Sequence, residues 1–208
     1  MLNVAILILA AGEAKRMGHP DHHKLLALFH DEPLVRRVAR QALASTASSV
    51  TVVMGHQSGA IAAALAGLAI SSLHNPAYAE GMGCSLATGL CSPVIDSADG
   101  VLVMLADMPS VTSAHLDSLM AAFRSGEGRS VIRGCAARRP GHPVVLPRCL
   151  YGALRNLRGD VGARDVIVSS MIPVTLVEIG AAALQDIDTL DDLRAAGGRL
   201  AVEHSTVP

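Results

Sequence analysis

Residues 100–106 (GVLVMLA) are apolar without interruption, and the run ends on an acidic residue, Asp107. A strand with one face in water alternates polar and apolar side chains. An unbroken run therefore belongs to a strand covered on both faces, as in a parallel sheet between helical layers. Residues 4–9 and 50–54 have the same character. Amphipathic patterns between these runs predict helices over residues 33–44, 58–66 and 114–123, the last with Thr112 or Ser113 as its N-cap. Later segments are less regular: strands over 143–146 and 174–179, and helices over 161–170 and 189–195. The alternation predicts an α/β sandwich with a mostly parallel sheet and right-handed crossovers.

The chain has 208 residues, half of them hydrophobic, and no Pro- or Ser-rich linker or internal repeat divides it. The expectation is one domain over residues 1–200 with a frayed tail at 201–208. A formal net charge of −1 gives no footprint for a nucleic-acid partner, and aromatics at 2% leave little for base stacking. The four cysteines lack CxxC spacing, which predicts reduced thiols and a cytoplasmic protein. Residues 4–11 superficially suggest a secretory signal. They lack a basic flank, are too short to span a bilayer and run straight into a glycine loop, so they read as a buried strand and no membrane partner is expected.

That loop, LAAGEAKRMG (residues 9–18), directly follows the first strand. Ligands of open α/β sheets sit outside the carboxyl ends of the strands. Small residues there let backbone amides approach phosphate oxygens, while Arg16 offers a forked donor and Lys24 a mobile point charge. An ordinary strand-to-helix turn with solvated Lys15 and Arg16 is the plainer reading. Neither GxGxxG nor GxxxxGK[ST] is present. Asp107, at the carboxyl end of its own strand, belongs to the same crevice and suits magnesium among triphosphate oxygens; the alternative is a loop carboxylate that caps a helix. The segment DIDTLDDL (residues 186–193) supplies further carboxylates, with Asp188 either a metal ligand or a helix cap.

These segments together resemble the molybdenum cofactor nucleotidyltransferases of the MobA-like type, in particular the CTP:molybdopterin cytidylyltransferases. The motifs are LAAGEAKRMG, Lys24-Leu25-Leu26, GMGCSLATGL (81–90), LADMP (105–109), GHPVVL (141–146), GDVGAR (159–164) and DIDTLDDL, in the family's order. The resemblance implies a Rossmann-like three-layer sandwich of the nucleotide-diphospho-sugar transferase type. It implies nucleotide binding by Leu9, Ala10, Ala11, Gly12, Arg16, Lys24 and Ser85, with Arg16, Lys24 and Asp107 as the catalytic residues. Arg16 would meet the departing pyrophosphate and Lys24 the phosphoryl group under attack. Mg²⁺ would sit on Asp107 and Asp188, with Asp186 a further candidate. Gly141, His142, Asp160 and Arg164 would face the acceptor, although His142 also reads as a loop residue set by turn geometry before Pro143.

The implied reaction is transfer of CMP from CTP to molybdopterin with release of pyrophosphate, and the Ala10-Ala11 pair resembles the cytidine-type loop. A molybdenum hydroxylase or its chaperone would be the further partner. Competing readings are a related transferase using GTP or another phosphorylated acceptor, and a non-catalytic cofactor-insertion chaperone. The chain departs from the family at HPDHH (residues 19–23), which lengthens the gap before Lys24. Adjacent histidines do not supply a closed ligand set, so His22 and His23 are expected in a solvated insertion.

Overall fold

The computed structural model describes residues 1–13, 23–159 and 162–201. In chain order its elements are β1 (Val4–Ala10), β2 (Leu28–Phe29), β3 (Glu32–Pro33), α1 (Leu34–Leu43), β4 (Val50–Met54), α2 (Ser58–Leu65), β5 (Ser71–His74), α3 (Met82–Leu90), α4 (Pro93–Asp96), β6 (Gly100–Leu105), α5 (Ser113–Ser125), β7 (Val131–Ala136), β8 (Arg139–Pro147), α6 (Tyr151–Leu154), α7 (Ala163–Ser170), β9 (Val174–Glu178) and α8 (Leu190–Ala195). Seven strands form one sheet in the order β5-β4-β1-β6-β8-β7-β9, and β2 and β3 make a separate small ribbon. Only β8 runs against its neighbours: it pairs antiparallel with β6 and β7, while the other pairings in the sheet are parallel.

The expected three layers are present, and β1 shows why. Every residue of this strand is buried. Val4, Ile6 and Ile8 enter the core beneath α1, α2 and α5, whereas Ala5, Leu7 and Leu9 enter the core beneath α3, α6 and α7. Two apolar faces per strand require continuous hydrophobic sequence, which is what the runs at β1, β4 and β6 supply. On the first side Leu34, Val35 and Val38 of α1 meet Leu116, Leu119 and Met120 of α5. Thr112 caps α5, accepting from the backbone N–H of His115 while the His115 ring accepts from the Thr112 N–H, a reciprocal capping box.

Two expectations shift. The strand predicted over 143–146 begins earlier, at Arg139, because it pairs with β7 in a hairpin whose register slips between Arg133 and Cys135. His142 consequently stands on β8, not in a loop, and a cis bond joins it to Pro143. The strand β9 closes the sheet at one end, with Val174 and Leu176 exposed. All four cysteines are free thiols. No helix among the described residues is long and apolar enough to cross a membrane.

Candidate functional site

The strands β1 and β6 end side by side, Leu9 opposite Leu105, so the loop after β1 and the residue pair after β6 share one rim of the sheet. A cavity of about 510 Å³ opens there. Its walls are Ala10 to Glu13 from the β1 loop, Lys24 from the following 3₁₀ turn, Met82 and Ser85 from the start of α3, Leu105 and Asp107 beyond β6, and Asp186 and Asp188 before α8. The volume suits a small-molecule substrate, and the crevice outside the carboxyl strand ends is where α/β sheets bind ligands.

Lys24 is the electrostatic centre of this cavity. Its Nζ lies 2.6 Å from Asp107 Oδ2 and 3.0 Å from Asp188 Oδ1, and the side chains of Lys24 and Asp107 are each only 14% exposed. Burial works to lower the Lys24 pKa, but the two carboxylates outweigh it and raise it, so the ammonium stays charged through neutral pH. Burial lifts the Asp107 carboxyl above its usual range; Lys24 opposes the shift and the nearby Asp186 adds to it. Asp107 Oδ1 is buried with no hydrogen-bond partner among the described residues. One oxygen of this carboxylate thus pairs with Lys24, and the other has no hydrogen-bond partner among the described residues.

The local chain explains how residues 164 apart in sequence, Lys24 and Asp188, meet. The backbone N–H of Ile187 donates to the Asp107 carbonyl at 3.0 Å, which clamps the segment from Asp186 to Asp188 beside β6. Asp188 does not cap the final helix. Thr189 does, in a capping box with Asp192. Nor does Asp107 cap α5, since Thr112 fills that position. Gly141 is a packing residue: a Cβ there would lie 1.9 Å from the Ala183 carbonyl oxygen, so only glycine lets β8 and residues 180–183 approach this closely. It is not among the residues that line the cavity.

His23 corrects the expectation of a solvated insertion. It is 4% exposed, its Nδ1 accepts from the Leu25 N–H at 3.2 Å, and it caps the 3₁₀ turn that carries Lys24. Its ring stacks on His56 at 5.8 Å between centroids, and His56 in turn lies 6.0 Å from Tyr78, a residue of the cavity wall. Burial, reinforced by the charge of His56, pushes its pKa down to about 4, so the ring is neutral at pH 7. His22, Arg16 and Asp160 lie outside the described residues.

Ser85 lines the cavity and is held by a residue that no motif singled out. Asn75, 2% exposed, donates through Nδ2 to Ser85 Oγ at 3.0 Å, accepts from the Ala77 N–H through Oδ1, and donates its own N–H to the Met54 carbonyl. A lone Asn carries no recognisable spacing, and only its three-way bonding identifies it. The Gly83 N–H, in the first turn of α3, donates to the Gly159 carbonyl at 3.0 Å. Of the expected acceptor contacts, His142 is buried at Nδ1 without a partner and Arg164 is exposed in the first turn of α7; neither lines the cavity itself.

A divalent cation fits the donor set in a limited way. No group of three His, Cys, Asp or Glu side chains among the described residues surrounds a common point. Asp107 and Asp188, which already converge on one cation, give two carboxylates, the number with which magnesium is commonly held while it keeps water and phosphate ligands.

Comparison with known proteins identifies the family and the fold. The chain is 30% identical to the purine catabolism protein PucB of Bacillus subtilis over 195 residues, covering 89% of this chain and 92% of PucB. It is 26% identical to the nicotine blue oxidoreductase of Paenarthrobacter nicotinovorans, covering 90% and 93% of the two chains. The crystal structure of Rv0371c from Mycobacterium tuberculosis superimposes with a TM-score of 0.78 at 26% identity, over 93% of this chain and 97% of that one. Rv0371c has also been solved in complex with manganese, which gives a TM-score of 0.74 at 25% identity over the same shares of the two chains. Residues 6–174 match the MobA-like NTP transferase domain, and the chain is a member of that family.

Proposed function

We propose that this protein transfers CMP from CTP to molybdopterin and releases pyrophosphate, with Mg²⁺ as its cofactor. The observation that carries the reading is the buried contact of Lys24 with Asp107 and Asp188 at the wall of a cavity edged by the β1 loop. Cationic and anionic groups held together in a partly dehydrated cleft are suited to gathering triphosphate, and charge development in such a cleft is stabilised more strongly than in water.

In this reading the amides of Ala10 to Gly12 and the side chain of Arg16 take the triphosphate. A phosphate oxygen of the acceptor attacks the α-phosphorus in line. The new P–O bond forms as the bond to the bridging oxygen breaks, and the electron pair leaves with pyrophosphate. The acceptor phosphate is already ionised at neutral pH, so positioning and charge neutralisation matter more than a strong base. Lys24 offsets charge on the transferred group, Arg16 receives the leaving group, and Ser85, anchored by Asn75, stands on the nucleoside side. Asp107 and Asp188 would hold the divalent ion, whose chemistry when bound is to neutralise the triphosphate oxygens. The unpartnered Asp107 Oδ1 and the manganese bound by Rv0371c support this.

The Ala10-Ala11 pair supports cytidine over guanosine, and the GHPV and GDVGAR segments support molybdopterin as the acceptor, met through His142, Asp160 and Arg164. A molybdenum hydroxylase or its chaperone would receive the product in the cytoplasm. One experiment separates this from a transferase of other substrates and from a carrier: pyrophosphate release from each NTP with Mg²⁺, with and without molybdopterin. Release that needs both CTP and molybdopterin is expected. Release with GTP or another acceptor moves the chain to a related transferase, and nucleotide binding without release under any condition leaves a carrier.

A further inference from the structure

The 3₁₀ turn that carries Lys24 has only three residues, Lys24–Leu26, too few to hold its own shape. In the ligand-free chain Asp107 and Asp188 hold the ammonium group from the other end. Under the reading above, those carboxylates serve a divalent ion and Lys24 serves a phosphate, so these contacts are exchanged when substrate binds. What keeps Lys24 in place during the reaction must then act on its backbone. Leu25 does so from one side, in the core against α1 and α2. The other side is held by His23.

His23 accepts from the Leu25 N–H through Nδ1, and its carbonyl accepts from the Leu26 N–H at 2.9 Å. Burial keeps the ring uncharged at neutral pH, so it does not repel the ammonium of the next residue. The ring lies nearly parallel to that of His56, with 17° between the planes. His56 stands in the turn after β4, and its own N–H donates to the Ala11 carbonyl at 3.2 Å. The following residue, Gln57, has φ 50°, a left-handed conformation that a non-glycine residue adopts at a cost. At Gly55 a Cβ would lie 2.7 Å from the Ala11 carbonyl oxygen and 2.4 Å from Tyr78 Cβ, so glycine lets the end of β4, the β1 loop and Tyr78 pack together. Ala11 and Tyr78 line the same cavity as Lys24. Two stacked rings and one backbone hydrogen bond thus join the Lys24 turn to the β1 loop.

We propose that His23 is a positioning residue: stacked on His56, it braces the Lys24 turn against the β1 loop, so that the two keep their spacing along one phosphate chain. The catalytic consequence rests on the transferase reading; the brace itself does not. The brace also gives a use to the departure at HPDHH, which lengthens the stretch between Gly18 and Lys24 and ends on His23. The plainer role is packing, in which His23 adds stability and has no effect on Lys24.

Lysine occurs only at positions 15 and 24, so acylation of the ligand-free full chain by an amine-reactive ester is read at Lys24 with Lys15 as the reference. Looser contact with Asp107 and Asp188 leaves more unprotonated amine and speeds the reaction at Lys24. His23→Phe keeps a ring but has no acceptor for the Leu25 N–H. Its Lys24 is expected to acylate about five-fold faster than in wild type, and kcat for pyrophosphate release from CTP with molybdopterin and Mg²⁺ to fall about ten-fold or more, with KM little changed. His23→Asn keeps the acceptor and loses the stack, as His56→Leu loses it from the other side. Each should lower kcat only about three-fold, and the two combined should lower it no further, since either breaks the same contact. Unchanged acylation of Lys24 in folded His23→Phe, or in His56→Leu where His23→Phe does not fold, would overturn the brace. So would a fall in melting temperature with kcat at the wild-type value, the result that packing alone gives. Wild type that releases no pyrophosphate contradicts the transferase reading instead, and acylation of the ligand-free chain still decides whether His23 positions Lys24.

Discussion

Lys24 carries one positive charge against two carboxylates, and both contacts are short. Removing one member of a buried pair costs about 3–5 kcal/mol, because the remaining charge loses its compensation while staying dehydrated. In Lys24→Met, Asp107 and Asp188 are left facing each other, and the metal-free protein is expected to lose about 3 kcal/mol in urea melts. Manganese should restore part of that loss by binding between the same carboxylates, and kcat should fall far more than KM changes. Melts that are unaffected by the substitution would mean that the contact has no energetic weight. The motifs made Lys24, Asp107 and Asp188 legible in the sequence, since each ends or follows a recognisable pattern. His23 and Asn75 were not legible. The burial of His23 and the bonding of Asn75 to Ser85 depend on segments distant in sequence, and a polar residue between motifs reads as solvated until its surroundings are known.

At the scale of elements, the acidic segment owes its place to backbone contacts. Ile187 donates to the Asp107 carbonyl, and the turn at residues 180–183 lies against Gly141. A methyl group at position 141 meets backbone atoms that cannot rotate away, so Gly141→Ala is expected to destabilise by about 2–3 kcal/mol. It should also displace Asp186 and Asp188, and so lower kcat/KM. Gly152→Ala, in α6, is the matched control: its Cβ meets nothing within 4 Å, and its stability should be unchanged or slightly higher. Thermal melts of the two variants side by side check this; equal melting temperatures would remove Gly141 from its role. The same scale shows which elements sequence can reveal. The strands β1, β4 and β6 are buried on both faces and announce themselves as apolar runs. The strand β5, with sequence SSLH, sits at a sheet edge where polar residues are tolerated, and β7 is interrupted by Arg133 and Gly134, so neither shows a period.

For the whole molecule, two desolvated histidines couple stability to pH. His23 and His142 both titrate near 4 in the folded chain, against 6.5 when exposed, because burial opposes the charged ring in each. The unfolded chain therefore binds more protons between pH 6.5 and 4. Their contribution is full above pH 6.5 and is lost as pH falls through that window. For His23, which is 4% exposed, the shift corresponds to about 3 kcal/mol. Urea melts from pH 7.5 to 4 should show wild type losing stability more steeply than His23→Asn, whose side-chain oxygen still accepts from the Leu25 N–H. Parallel profiles would contradict a neutral buried ring. The three-layer architecture was legible from the alternation of apolar runs and amphipathic helices; the antiparallel insertion of β8 was not, since its prolines and its polar start hide a strand whose partners are fixed by the tertiary fold.

The central claim is that a carboxylate at the end of β6 and a lysine from the β1 loop region act on one bound triphosphate. Pyrophosphate release by Asp107→Ala in a single turnover, with CTP, molybdopterin and saturating Mg²⁺, tests it most directly. The account predicts a folded protein that still binds CTP and releases pyrophosphate at least a thousand-fold more slowly, about 4 kcal/mol of lost transition-state stabilisation. Release at the wild-type rate from that variant would contradict it.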